Sequence, residues 1–223
     1  MTDQPIDAAA VPAVTRDFFD RAHARLTLDV PAGLADPNVP VRRGDLDLDP
    51  TLWERAGVAA TKPAAVLVPV VDRAEPTVIL TMRTTELSSH AGQIAFPGGK
   101  IDKTDSGPLA AALREAKEEI GLDANLIEPI GYLDLYLTFS GFRILPLVAR
   151  VTPTYVFALN AAEVADAFEV PLDFLMTPAN HQRGSREWRG IQRQYYAMPY
   201  RDRYIWGVTA GILRNLYERV YGA

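Results

Sequence analysis

Cysteine is absent from the 223-residue chain, which excludes disulfides, thiol nucleophiles and cysteine-based zinc sites together. Any metal must therefore bind through carboxylates, histidines or carbonyls. Long apolar runs are also missing. The longest, such as residues 64–71, are strand-length and well short of the roughly 18 to 20 residues a membrane-spanning helix needs. The first residues carry Asp3 and Asp7 and no basic stretch, unlike a secretory signal, so a cytoplasmic protein with no membrane partner is expected. Positive charge is scarce as well: 23 Lys and Arg against 28 Asp and Glu leave a formal charge of −5. That balance offers no global basic surface for nucleic acid. A polyanionic substrate would depend on local Arg and Lys or on bound cations.

What the chain does contain is the mixture of a globular protein, 48% apolar and 23% charged, in a length that suits one main domain with an appendage. Residues 1–60 are rich in Pro, Asp and Ala. Their one periodic stretch is 16–28, where Phe18, Phe19, Ala22 and Leu26 recur at helical spacing. They are expected to form an N-terminal extension with one amphipathic helix, packed on a main domain over 61–223. Apolar runs at 64–71 and 77–83, separated by a polar, Pro-containing turn at 72–76, predict a hairpin. A short strand is expected at 93–96, broken by Pro97-Gly98-Gly99. Residues 107–120 give the clearest helix, with Pro108 in its first turn, Asp105 or Ser106 as its cap and Gly121 as its stop. Strands are expected at 127–138, 144–151 and 189–198, short helical turns at 163–168 and 172–176, and a core-packed helix at 206–221. Strands and helices in this order predict an α/β fold with a mixed sheet.

Projected at about 100° per residue, the 107–120 helix places Leu109, Ala112, Leu113, Ala116 and Ile120 on one stripe. Glu115 and Glu119 then lie side by side at its edge, Glu118 stands farther round, and Arg114 lies beyond Glu118. Glutamates four residues apart repel by about 0.2–0.5 kcal/mol, and acids near a helix C-terminus oppose its dipole. A hard divalent cation, Mg²⁺ or Mn²⁺, resolves that conflict and leaves positions for water and phosphate oxygens. An isolated Glu-x-x-Glu-Glu reads more often as a solvated helix face, so the cluster needs its context.

That context is Gly98-Gly99-Lys100-Ile101-Asp102 through Ala112-Leu113-Arg114-Glu115-Ala116-Lys117-Glu118-Glu119-Ile120-Gly121-Leu122, which resembles the Nudix box. The right half matches the family pattern at every specified position. The left half departs from it: five residues beyond Gly99 comes Asp105 in place of Glu, and eight residues instead of seven separate it from Arg114. The coenzyme A pyrophosphatase branch resembles this form, Phe-Pro-Gly-Gly-Lys-x-Asp-x-x-Asp followed by Ala-Leu-Arg-Glu-Ala. Residues 80–84 and 87–96 are similar to that branch's upstream signature, and Glu163-Val164, Phe168, Val170-Pro171-Leu172 and Ile205-Trp206-Gly207 extend the likeness, so that it spans about 64–213.

The resemblance implies the Nudix fold, a mixed sheet sandwiched between helices, and metal-dependent hydrolysis of a diphosphate in a small nucleotide-like substrate. At branch level it implies coenzyme A or an acyl derivative, cut to 4′-phosphopantetheine and adenosine 3′,5′-bisphosphate. Glu115, Glu119 and Glu118 are the expected metal ligands with the Gly99 carbonyl, Glu118 doubling as a candidate for deprotonating water. Arg114 is expected to orient a glutamate, Glu163 is a candidate base outside the box, and Arg83, His90 and Lys100 are assigned to substrate. ADP-ribose, NAD or another nucleoside diphosphate derivative is the alternative substrate class, and a non-catalytic binding module the alternative of another class. A homodimer stays open. Isopentenyl diphosphate isomerases share the fold but use a catalytic cysteine, which this chain lacks.

Overall fold

A computed structural model describes residues 17–41, 43–45, 47–49, 62–85, 92–188 and 191–222. Its organising strand is β2 (Lys62–Val71), buried almost throughout from Ala64 onward. A run with no polar alternation is what a strand covered on both faces looks like. Strand β8 (Phe142–Val151) pairs with it in parallel over all ten residues. Alternate β2 side chains serve two separate cores: Val66, Val68 and Val70 face one, Ala65, Leu67 and Val71 the other.

The first core is closed by helix α1 (Phe18–Arg25), the short α3 (Leu172–Met176) and α4 (Val208–Tyr221), through Phe18, Leu175, Leu213 and Leu216 among others. The second is closed by α2 (Pro108–Ile120), through Ala111, Ala112, Ala116 and Ile120. The result is the expected α/β layering, a mixed sheet between helices. No helix among the described residues is long and apolar enough to cross a membrane.

Among the described residues the main sheet has nine strands and runs β1 (Arg43–Gly44), β7 (Tyr136–Leu137), β8, β2, β3 (Thr77–Arg83), β4 (Ile94–Ala95), while β5 (Gly98–Lys100) joins β2, β6 (Ile127–Tyr132) joins β8, and β9 (Val164–Pro171) joins β3. The β2–β3 hairpin pairs only at its base, Val70 with Val78 and Val71 with Thr77. Beyond that β2 leaves β3 and takes β5 instead, Ala65 opposite Gly99 and Val66 opposite Gly98. Pro97 does end β4, but Gly98-Gly99-Lys100 forms a new strand, contrary to expectation. Gly98 has φ +149°, and a Cβ there would come 2.5 Å from the Ala65 carbonyl oxygen, so only glycine tolerates this approach.

Three further expectations are corrected. The helical turn expected at 163–168 is part of β9, because the open edge of β3 offers seven pairing partners and tertiary pairing outweighs a short local pattern. The helix at 107–120 starts from Gly107 with no side-chain cap; Asp105 bonds elsewhere. The strand expected at 127–138 is interrupted between β6 and β7. The chain also forms β10 (Gln182–Trp188) and β12 (Arg203–Trp206), which flank β11 (Ile191–Tyr200) in a second, antiparallel sheet.

The segment after α1 is tied to the sheet by one buried cation. Arg143 on β8, 4% exposed, donates to the carbonyls of Gly33, Asp36 (2.8 Å), Val39 (2.9 Å) and Pro37 (2.7 Å). A guanidinium presents several donors in a fixed fork, which an ammonium cannot reproduce. Arg143→Met is expected to lower unfolding stability by about 3 kcal/mol in denaturant melts, since several charged hydrogen bonds are lost and the carbonyls around the guanidinium lose their donor. Arg143→Lys should recover only part of it, and equal stability of all three proteins would contradict this role.

Candidate active site

Helix α2 delivers the carboxylates. Gly121 takes the left-handed conformation (φ +71°) just past its end, where its N–H reaches the Lys117 carbonyl at 3.0 Å and the Leu122 N–H that of Ala116 at 3.3 Å. The helix lies across β2 and β5, with Ala112 and Ala116 small enough to let its backbone approach the sheet. Leu109 and Leu113 are only partly buried. The buried face is shifted toward Ala111 and takes in Glu119, which lies within the apolar stripe and not at its edge.

Glu119 is consequently the strained group of the site. Its side chain is 4% exposed, accepts the Gly98 N–H at 3.2 Å and has Arg83 Nη1 3.8 Å away. Burial pushes its carboxyl up to about 7; Glu115 and Glu163 push the same way, while the Gly98 N–H and Arg83 oppose them. Glu115 is half-buried and is also shifted up, first by desolvation, against the pull of Arg114. Its carboxyl lies over Gly99, where a Cβ would come 2.5 Å from Oε1. Glu118 is 56% exposed.

Arg114 connects the set. Nη1 donates to Glu115 Oε1 and to Glu118 Oε2, each at 3.0 Å. Its other edge is gripped by Asp105, Nε to Oδ1 at 2.9 Å and Nη2 to Oδ2 at 3.0 Å, and Nη2 also reaches the Lys100 carbonyl at 3.2 Å. Asp105, its side chain 5% exposed, is held below the usual carboxylate range chiefly by Arg114, and it accepts the Asp102 N–H at 2.8 Å. This bidentate partner was not anticipated from sequence. The only signal was its place in the branch-like Asp-x-x-Asp.

Arg83, Gly99, Arg114, Glu115, Glu118 and Glu119 are thus gathered in one region, with Glu163 near enough to act on two of the carboxylates. Glu163 also accepts from Asn160 Nδ2 at 3.2 Å, and the Asn160 N–H donates to the Glu119 carbonyl at 2.9 Å. Lys100 is exposed on β5 beside Gly99. His90 lies outside the described residues. Among the described residues no three Asp, Glu or His side chains are gathered tightly enough to enclose a cation, and the arginines explain the spread: Arg114 draws on Glu115 and Glu118 while Arg83 faces Glu119.

Arg83 stands four residues after Ile79 on β3, so strand alternation puts it on the α2 face, and a bulge lies opposite it. β3 pairs with β9 as Met82 to Asp166 and then Arg83 to Val164, leaving Ala165 as the extra residue. The slip moves Val164 to the second core, beside α2, while Phe168 and Val170 stay with the first. Bulges redirect side chains in this way next to active sites.

The pH dependence of stability follows from Glu119. Its folded value of about 7 lies above the ordinary 4.5, so this group favours the folded state below pH 4.5 and loses that contribution as pH rises through 7. In chelator-treated protein, unfolding free energy is expected to fall relative to Glu119→Gln across this window by at most on the order of 3 kcal/mol. A constant difference between the two proteins from pH 4.5 to 7.5 would refute it.

A family model described as the NUDIX domain matches residues 61–188. Proteins named "Uncharacterized Nudix hydrolase NudL" from Yersinia pestis (strain Pestoides F) and Yersinia pseudotuberculosis (serotype O:3, strain YPIII) are 39% identical over 162 residues, 73% of this chain and 81% of theirs. Among solved structures, DR0079 from Deinococcus radiodurans is 12% identical with a TM-score of 0.47, covering 72% of this chain and 87% of its own. The Caenorhabditis elegans Ap4A hydrolase binary complex is 19% identical with a TM-score of 0.43, covering 49% and 80%. A domain match over more than half of the chain, with relatives this similar over most of both sequences, means that the chain belongs to the Nudix hydrolases, pyrophosphohydrolases that act on nucleoside diphosphate derivatives and generally require divalent metal ions.

Proposed function

We propose that this enzyme hydrolyses the diphosphate of coenzyme A, free or acylated, to 4′-phosphopantetheine and adenosine 3′,5′-bisphosphate. The observation that carries this reading is the left half of the box. Its acid is one residue out of the general spacing, yet it meets Arg114 with two hydrogen bonds, at 2.9 and 3.0 Å, and its loop is closed by the Asp102 N–H. The offset is a complete arrangement and not an eroded motif, and it is the form that resembles the coenzyme A branch.

A Mg²⁺ or Mn²⁺ ion suits the residues present. The donors are hard oxygens, Glu119 is a buried carboxylate without adequate positive charge, and Gly99 carries no side chain where one would collide with Glu115. In this reading the Gly99 carbonyl, Glu115, Glu118 and Glu119 hold the ion, which when bound supplies positive charge for the nonbridging phosphate oxygens and acidifies water. Arg114, anchored by Asp105, keeps Glu115 and Glu118 aligned before substrate arrives, so little reorganisation is left for the reaction. Arg83 and Lys100 meet phosphate oxygens. Glu118, the exposed carboxylate of the set, takes a proton from the attacking water, with Glu163 the alternative base. The water oxygen bonds one phosphorus as the bridging P–O bond breaks, and the departing phosphate keeps that electron pair.

A panel of coenzyme A, ADP-ribose and NAD, each with Mg²⁺ and with Mn²⁺, tests the substrate. Coenzyme A is expected to turn over fastest and to give the two stated products; rapid ADP-ribose cleavage with none of coenzyme A would overturn the proposal. Glu119→Gln should lower kcat by a factor of roughly 10³ or more. Asp105→Asn, which loosens Arg114 without touching substrate, should lower activity or metal affinity by about 10–100-fold.

A further inference from the structure

A cleft of about 350 Å³ opens beside the candidate active site, at the small end of the range for small-molecule sites. Its walls come from the last residues of β3, the turn before β9 and the bulge at Ala165. Met82, Leu159, Ala161, Val164 and Ala165 form most of its lining, completed by Thr84, Thr85 and Gly92, with Arg83 between the cleft and Glu119. Two features limit what it accepts. Most of these lining side chains are aliphatic, and among the described residues none gives an aromatic face for a nucleobase to stack on. The wall is mainly apolar: Thr84 Oγ1 already donates to the Ala162 carbonyl at 3.4 Å, and Thr85 and Arg83 are the other polar side chains of the lining, so the several hydroxyls of a sugar would not all be paired there. Yet Arg83 Nε is buried and has no hydrogen-bond partner among the described residues, so one donor is available at the cleft's inner end, on the side of the reacting carboxylates. Leu159, 38% exposed, is one of few large apolar side chains left in solvent on the described surface.

We infer that this cleft receives the branched aliphatic unit directly attached to the substrate's diphosphate, the dimethyl-bearing pantoyl segment of coenzyme A. The inference rests on the substrate reading above and identifies which part of the substrate is discriminated. In coenzyme A the quaternary carbon and its two methyl groups stand one methylene from the phosphate ester oxygen, close enough to enter a cleft that begins at Arg83. A hydroxyl and an amide carbonyl follow, either of which can accept from Arg83 Nε. ADP-ribose and NAD place a polar ribose at the same distance. The device is therefore a selector for the non-nucleotide half, built by the β9 bulge, whose extra residue Ala165 leaves the space open.

Inhibition by the separate halves of the substrate, with thermal melting to verify folding, tests the inference. On wild-type enzyme, 4′-phosphopantetheine is expected to inhibit at least tenfold more tightly than ribose 5-phosphate. Ala165→Leu and Ala161→Leu, each adding a branched side chain at an exposed cleft position, should weaken 4′-phosphopantetheine and raise KM for coenzyme A more than they lower kcat. A change of about tenfold is expected, the size of effect that small apolar groups produce in a pocket. Adenosine 3′,5′-bisphosphate should inhibit both variants as it does the wild type. If coenzyme A is hydrolysed but the two phosphate esters inhibit equally, or neither variant alters the phosphopantetheine constant, the cleft assignment falls and the proposed function stands. If wild-type enzyme does not hydrolyse coenzyme A, the proposed function falls and takes this assignment with it.

Discussion

Burial of the Glu119 carboxyl in the apolar face of α2 is the constraint on which the rest of the site depends. A carboxylate out of water is unfavourable unless it finds hydrogen bonds or positive charge, and here one backbone N–H and one distant guanidinium supply only part of what is needed. The neighbouring acids worsen the deficit. The fold tolerates this because α2 is held firmly by its small residues against the sheet and by its closed C-terminal end. Residues that destabilise a protein locally and have no packing role are the ones whose chemistry accounts for them.

The second requirement is an opening for that carboxyl to face. It arises because β2 divides its hydrogen bonds among three neighbours: β8 along its whole length on one side, and β3 then β5 on the other. Where β3 and β5 diverge, Gly98 and Gly99 come under α2, strand alternation brings Arg83 to the same place, and the bulge in β9 adds Val164 beside α2. Arg114 and Asp105 complete the frame from the loop side. One nitrogen shared between two glutamates would hold either of them loosely; the bidentate grip of Asp105 on the other edge fixes the guanidinium plane.

The remainder of the molecule supports this frame at a distance. The two cores share the sheet but not their helices, so α2 packs on one face while α1, α3 and α4 pack on the other. The described residues between α1 and β2 add no side chain to the site, and carbonyls among them enclose Arg143 on the strand paired with β2.

Local pattern alone determined a good deal here. The β2 and β3 runs, the helix at 107–120 with its Gly121 stop, the C-terminal helix and the grouping of Glu115 with Glu119 all follow from periodicity over neighbouring residues, because each element's own side chains declare its buried face. The box motif, read by resemblance, identified the family. Other features depended on tertiary structure because they join residues distant in sequence. β9 became a strand only by pairing with β3, and the Ala165 bulge exists only as a mismatch between two strands. Asp105 found Arg114 across a loop whose length, not its composition, sets the meeting point. Helical projection puts Glu119 at the margin of the stripe, and packing of α2 on the sheet decided that this carboxyl would be buried. Periodicity specifies which residues share a face; only packing against a particular neighbour decides how deep that face is buried.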